Sequence, residues 1–480
     1  MPLPLPTTSA NFPSSNRVPC VRLAGETLMP NVVMLISDEH NPFFSGPWGN
    51  DTVQTPNMDR LATMGTVYEN TYCPSPLCLP SRSAFFAGKY VHEIQTYSNC
   101  GTNLCPDHPS YGGVLNDQGV HTTHIGKVHA YTNGVNLGFS EMHMPWDTPA
   151  QGDALIRRKP LHIRDGAERR AEGYGPVERS DDRDMARDGE WTDRGLQWLD
   201  ETMPRLDSPW VLSLNLVNPH FPHYVTPELW DMYPDGDDLP TRSIDTETGQ
   251  HPYMDDLRRH FRTELFTEEQ VRGLRRGYRG CITELDRQIG RVMDALETRG
   301  ILDDTVFVYT SDHGDMLGEF GMWWKCTLLE DSARIPLIVA GPGFGRGERV
   351  RTPVSLLDVQ ASLFHATGVE RPSDWRGEPL QTIPANDSER AVFAEYHGHG
   401  TRASAFMIRK GDWKLIWNVD APHQLFNLLD DPGELTNQHT ANPSKARELE
   451  GELRAICNPE LENERANKLI DEQLRTMGMA

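Results

Sequence analysis

Five short runs of the chain carry side chains able to do chemistry together. They are Asp38-Glu39-His40, Cys78-Leu79-Pro80-Ser81-Arg82, Lys127 with His129 in GKVHA, Asn218-Pro219-His220-Phe221-Pro222-His223, and Ser311-Asp312-His313-Gly314-Asp315. Asp38, Asp312 and His313 are mostly oxygen donors with one imidazole, a set that suits Ca²⁺, Mn²⁺ or Mg²⁺ better than a thiolate metal. Arg82, Lys127 and Lys325 would form a positive cluster inside an acidic protein. Buried cations of that kind need anionic partners, either a substrate oxyanion or metal-bound carboxylates. His129 and His220 titrate in the range useful for proton transfer. Cys78 stands just before a proline suited to a first helical turn, and Ser81–Ala87 can continue as helix. Its side chain would then meet the free N–H groups and positive dipole of a helix N-terminus. Any one of these residues alone reads as a core or loop residue; the set does not.

The elements that must position them are short apolar strands alternating with helices, the pattern of an α/β fold with a large, mostly parallel sheet. Asn31–Ser37, Trp210–Val217, Thr305–Ser311 and Pro336–Ala340 read as strands, and His121–Gly126 is a further candidate of mixed pattern. In open parallel sheets ligands bind beyond the carboxyl ends of the strands. The acidic, imidazole and lysine residues all fall just past such ends, so one shared site is the economical explanation. The clearest helix is Glu268–Arg299, opened by a Thr267/Gln270 capping box and stopped by Gly300. Its stripe of Val271, Leu274, Tyr278, Ile282, Leu285, Ile289, Val292 and Leu296 is core.

Gln151–Asp193 and Tyr233–His260 read as long irregular stretches, surface insertions near a functional face or solvated segments. After Ser373 the pattern turns antiparallel. Ala391–Tyr396 is a strand, Ala405–Arg409 and Trp413–Trp417 flank a Lys410-Gly411-Asp412 turn, and a helix follows over Pro443–Ile456. The expected division is a leader at 1–28, a catalytic α/β domain at 29–373, and a smaller α+β subdomain with an antiparallel sheet and helical tail at 374–480. Asn458–Met479 reads as a solvent-ready helix without a core of its own, which makes a homo-oligomer plausible.

With 480 residues and a formal net charge of −23, the chain lacks the basic surface that nucleic acid requires. No apolar run reaches membrane-spanning length. The first 28 residues have neither a basic n-region nor a continuous apolar h-region, which points to a cytoplasmic protein, and translation could begin at Met29. The eight cysteines are scattered without a CxxC pair, so reduced thiols are expected rather than disulfides or structural zinc.

The order DEH, CLPSR, GKVH, NPHFP and SDHGDMLGEFGMWWK resembles the formylglycine-dependent type I sulfatases of the alkaline phosphatase superfamily. It is most similar to their choline-sulfatase-like and phosphonate monoester hydrolase branch. The resemblance implies an alkaline phosphatase-like fold and hydrolysis of a small, anionic sulfate ester to alcohol and sulfate. It implies that a maturation enzyme oxidises Cys78 to formylglycine, whose gem-diol is the nucleophile. One divalent cation, Ca²⁺ before Mn²⁺ or Mg²⁺, would be held by Asp38, modified Cys78, Asp312 and His313. Arg82, Lys127 and Lys325 would hold the formylglycine and the substrate oxyanion, and Asn99 would contact the sulfate. His220 is the candidate acid for the leaving oxygen and His129 the candidate base. Glu39 departs from the residue usual after the first aspartate, and is not counted among the ligands. The alternative activity is hydrolysis of a phosphonate monoester or phosphodiester at the same site. A choline-like ester would need an aromatic cage, for which Trp146, Trp191, Trp323 and Trp324 are candidates.

Overall fold

The computed structural model describes residues 29–105, 107–131, 137–146, 156–178, 183–234 and 239–479. The expected leader at 1–28 lies outside the described residues. Continuous apolar runs bury both faces of the central strand. Val33 and Leu35 enter one core, while Val32, Met34 and Ile36 enter the other. Around it an eight-stranded sheet is ordered Glu348–Val350, Gly65–Tyr68, Leu337–Ala340, Thr305–Ser311, Asn31–Asp38, Trp210–Pro219, His121–Lys127 and Glu141–Trp146.

The strands from Thr305–Ser311 to Glu141–Trp146 are all parallel, so their carboxyl ends share one edge. Leu337–Ala340 runs antiparallel to both its neighbours. The segment from Asp312 to Ile335 stays at the carboxyl edge, so the next strand starts there and must run back down. Together with the helices around it this is the expected mostly parallel α/β architecture. A separate antiparallel sheet of Ala391–Tyr396, Ala405–Lys410, Trp413–Asn418 and Gln424–Asn427 follows. One of its faces (Phe406, Ile408, Leu415) packs on Leu449 and Leu453 of the Pro443–Ile456 helix, while Met407, Ile416 and Phe426 join the larger core.

The long helix spans Glu268–Thr298 with the expected capping box. It lies close against the site's underside because Gly277 has no side chain there. A Cβ on that residue would sit 2.3 Å from the carbonyl oxygen of His223. Part of each stretch read as irregular is helical: Arg183–Glu201 in the first and Pro252–Phe261 in the second. In the former, Met185, Trp191, Trp198 and Leu199 are buried, but the charges between them hide the period. Residues 151–155, 179–182 and 235–238 of these stretches lie outside the described residues.

The tail also differs from its expectation. Pro459–Thr476 is a helix docked onto the catalytic face, not a solvated extension. Ile470 and Leu474 pack with Cys100 and Ile156, and Gln473 Nε2 donates to the carbonyls of Cys100 (3.3 Å) and Thr102 (2.7 Å). Ile470→Ala should therefore lower stability by about 2 kcal/mol, the lower end for a buried aliphatic truncation. Urea unfolding monitored by tryptophan fluorescence checks this, and an unshifted midpoint would refute the docking. Among the described residues no helix is long and apolar enough to cross a membrane, and the cysteines are all free thiols.

Candidate active site

Sheet register creates the centre. Ser37 and Ser311 are paired on adjacent parallel strands, so Asp38 and Asp312 emerge side by side one residue further on. Both carboxylates are fully buried. Helix Cys78–Ala87 approaches from the same edge, with Cys78 in its first turn. Arg82 lies one turn further along the same helix face. Its Nε donates to Asp312 Oδ2 at 2.7 Å and its Nη2 to Asp38 Oδ2 at 3.2 Å. Lys127, at the end of its strand, pairs with the same Asp38 oxygen. The arginine and lysine thus occupy the Oδ2 atoms and leave both Oδ1 atoms facing Cys78 and His313.

Those Oδ1 atoms enclose a small gap. His313 Nε2 is 3.1 Å from Cys78 Sγ, 3.8 Å from Asp38 Oδ1 and 3.7 Å from Asp312 Oδ1. Cys78 Sγ is 3.9 Å from Asp38 Oδ1. His313 Nδ1–H donates to the Gly314 carbonyl at 3.0 Å, which turns the Nε2 lone pair into the gap. An ion with oxygen ligands at about 2.3–2.6 Å spaces neighbouring donors by roughly 3–4 Å, so these residues fit one divalent cation. All four potential ligand atoms lie within 4.8 Å of one another.

The helix that carries Cys78 is capped from outside itself. Leu77 at its N-cap has no capping side chain. Asn99 Oδ1 accepts the Leu79 N–H at 3.0 Å instead, and Ser81 Oγ donates to the Asp312 carbonyl at 2.6 Å. The tail helix holds the Asn99 segment through Tyr97 OH, which donates to Glu462 Oε2 at 3.3 Å.

A second layer faces the same sulfur. Lys325 Nζ donates to Glu39 Oε2 at 2.8 Å and lies 2.8 Å from His220 Nε2. His220 Nδ1–H donates to the Phe221 carbonyl at 2.6 Å. His129 is within hydrogen-bonding reach of the Cys78 thiol. Burial alone would raise the Cys78 thiol, yet Lys325, Lys127 and His313 pull it well below its ordinary value. Burial likewise opposes ionisation of Asp38, but Lys127 and the neighbouring cations hold it below the usual carboxylate range. His220 is raised: Glu39 and Asp38 outweigh burial and the repulsion of Lys325. The arrangement can therefore hold an anion at Cys78 and carry a proton at His220.

The structure thus brings together Asp38, Cys78, Arg82, Lys127, His129, His220, Asp312, His313 and Lys325, with Asn99 at the helix start. Glu39, left out of the expected ligands, adopts φ +67° and is the counter-charge to Lys325 and His220, 3.3 Å from His220 Nε2. It also falls with Asp38 and His220 in a second group of mutually close donors. Sequence reading did not single out His399, which follows the Ala391–Tyr396 strand and lies 3.5 Å from the sulfur of Cys326, because no periodicity or strand-end rule for parallel sheets points to it. Of the tryptophans suggested for a cage, Trp191, Trp323 and Trp324 are buried in the core. Trp146 faces Lys127 and Arg187 at 5.7 and 4.3 Å, and Trp324 faces Arg170 at 5.5 Å. Cations already flank Trp146 and Trp324, which opposes a quaternary ammonium ligand.

The family model described as Sulfatase matches residues 30–369, and one described as N-sulphoglucosamine sulphohydrolase, C-terminal, matches residues 318–458. The chain is 33% identical over 428 residues to a choline-sulfatase of Rhizobium meliloti, covering 85% of this chain and 82% of the relative. It is 30% identical over 456 residues to arylsulfatase K of Danio rerio, covering 89% and 84%. The fold is similar to that of the phosphonate monoester hydrolase of Agrobacterium radiobacter, with TM-score 0.71, 22% identity, and 89% and 95% of the two chains covered. With a family model spanning the whole parallel sheet and its site, the chain belongs to the sulfatase family and is a sulfuric ester hydrolase.

Proposed function

We propose that the chain hydrolyses a small sulfate ester with a nucleophile made from Cys78 by oxidation to formylglycine. The observation that carries this reading is the placement of Cys78 Sγ, buried at a helix start against His313, Asp38 and the Lys127 and Lys325 ammonium groups. Formylglycine, once hydrated, supplies a hydroxyl nucleophile and an exit by elimination that serine or cysteine lacks. Asp38, Asp312, His313 and the modified Cys78 would hold one divalent cation, Ca²⁺ by donor type, which would acidify that hydroxyl and offset charge on the sulfate.

The chain's own residues divide the remaining work. Arg82 and Lys127 fix the two aspartates with their Oδ1 atoms inward. Lys325, held by Glu39, offers N–H donors to the sulfate oxygens where charge develops. His220 Nε2 faces the leaving side and delivers a proton to the departing alcohol oxygen, while its Nδ1 stays fixed on Phe221. His129, beside Cys78, is placed to take a proton when sulfate is released. The names of the two relatives, choline-sulfatase and arylsulfatase K, favour sulfate over phosphonate esters.

The test is peptide mass spectrometry across Cys78 on protein made with a formylglycine-generating enzyme, followed by kinetics on aryl sulfate, phosphodiester and phosphonate monoester. The expected result is the mass loss of thiol-to-aldehyde conversion and the highest kcat/KM on the sulfate. Unmodified Cys78 in active protein would overturn the nucleophile, and a preference for phosphonate monoester would overturn the substrate class.

A further inference from the structure

The insert between the Glu141–Trp146 strand and the Arg183–Glu201 helix brings two arginines beside the reaction centre. The Arg170 guanidinium carbon lies 5.5 Å from the Trp324 ring centroid and 6.0 Å from that of Phe221. Trp324 immediately precedes Lys325, and Phe221 immediately follows His220. His220 and Lys325 have side chains 27% and 10% exposed, whereas Asp38 and His313 have none, so the centre opens to solvent past this pair. Arg170, itself half-buried, borders that opening.

Arg164 is linked to the same aromatic group through Phe261. Its guanidinium carbon is 5.1 Å from the Phe261 centroid, and Phe261 is 4.9 Å from Trp324. Its orientation is set: Nε donates to His260 Nε2 at 3.0 Å, while His260 Nδ1–H donates to the His162 carbonyl at 2.6 Å. The His260 ring stacks on His399 at 5.4 Å, and His399 Nε2 is 3.5 Å from the sulfur of Cys326, next to Lys325. Burial first, then Arg164, Lys325 and Arg170, push His399 well below its ordinary value, which places these cations around one imidazole.

In the reading above Lys325 meets the transferred sulfate, while Arg82 and Lys127 hold the two aspartates. Two further guanidiniums, Arg170 half-buried at the opening and Arg164 buried against Phe261, extend the positive wall beyond Lys325. In a chain of net charge −23 they are also the local field that would admit a multiply charged anion. We propose that Arg164 and Arg170 form a second anion subsite, so that the substrate is a sulfate ester whose alcohol carries another anionic group. A carboxylate and a second sulfate share the planar or tetrahedral oxygens that guanidinium recognises. The proposal rests on the sulfate-ester reading above and narrows it.

The test compares three aryl sulfates matched in leaving-group acidity: one without a further charge, one bearing a carboxylate, and one bearing a second sulfate. Wild-type enzyme should show kcat/KM about tenfold or more higher on one of the charged esters, expressed mainly in KM. Arg170→Gln and Arg164→Gln should each bring that ratio towards one. Arg170→Lys, which keeps the charge but loses the stacked fork, should retain only part of it, and the surface control Arg291→Gln all of it. A second measurement is calorimetric binding of the same esters to Cys78→Ala, expected to follow the same ranking. Equal wild-type kcat/KM on all three esters overturns the subsite and leaves the sulfatase reading intact. Equal losses on all three esters in the Arg164 and Arg170 variants also overturn it, by making them structural. If wild type hydrolyses none but Cys78→Ala binds the charged ester more tightly, the subsite stands and the sulfate-ester reading falls. Without turnover or differential binding, both fall.

Discussion

Cys78→Ala is expected to remove turnover, by roughly 10⁴-fold or more in kcat, while leaving the fold intact. The side chain is small and the helix it starts is capped by Asn99 and anchored by Ser81, neither of which touches the sulfur. What is lost is the atom at the meeting point of His313, Asp38 and the two lysines. Residual rate would come from the surrounding cations, which bind and polarise the ester without a nucleophile. Steady-state kinetics with a circular dichroism melt on the same preparation check both halves. Wild-type rates in the variant would place the chemistry elsewhere.

The second large effect is on stability. Arg82→Ala should destabilise the protein by about 3–5 kcal/mol, the range for removing one partner from a buried charge cluster. Arg82 bridges Asp38 and Asp312 through both of their Oδ2 atoms. Without it Asp312 loses its ion pair; burial already holds this carboxyl above its usual range even with Arg82 opposing. Urea unfolding gives the stability change and aryl sulfate kinetics the loss of activity. A shift below about 1 kcal/mol would mean that Lys127 alone can hold the pair.

The parts of this site legible in the sequence are those fixed by strands. NVVMLIS and TVFVYTS read as strands buried on both faces, and their in-register parallel pairing makes Asp38 and Asp312 neighbours whatever their separation in the chain. Cys78 and Arg82 were legible for a related reason, since four residues along one helix share a face. Glu39 was not, because its role depends on a left-handed backbone that turns its carboxylate towards Lys325. The reversed direction of Leu337–Ala340 was hidden because an apolar run carries no arrow. The tail helix escaped for want of a broad stripe: Ala466, Ile470 and Leu474 make a narrow one, and Cys100 and Ile156, which cover its end, lie more than 300 residues upstream. Arg164 and Arg170 sit in an insert where aromatic stacking, not periodicity, decides placement.

The docking of Pro459–Thr476 ties the reaction centre to a helix that lies outside it. The segment bearing Asn99, which caps the Cys78 helix, is braced by Tyr97 on Glu462 and by Gln473 on the Cys100 and Thr102 carbonyls. A substitution that frees this helix therefore loosens the start of the Cys78 helix from a distance, and its cost appears in the rate as well as in the melting point.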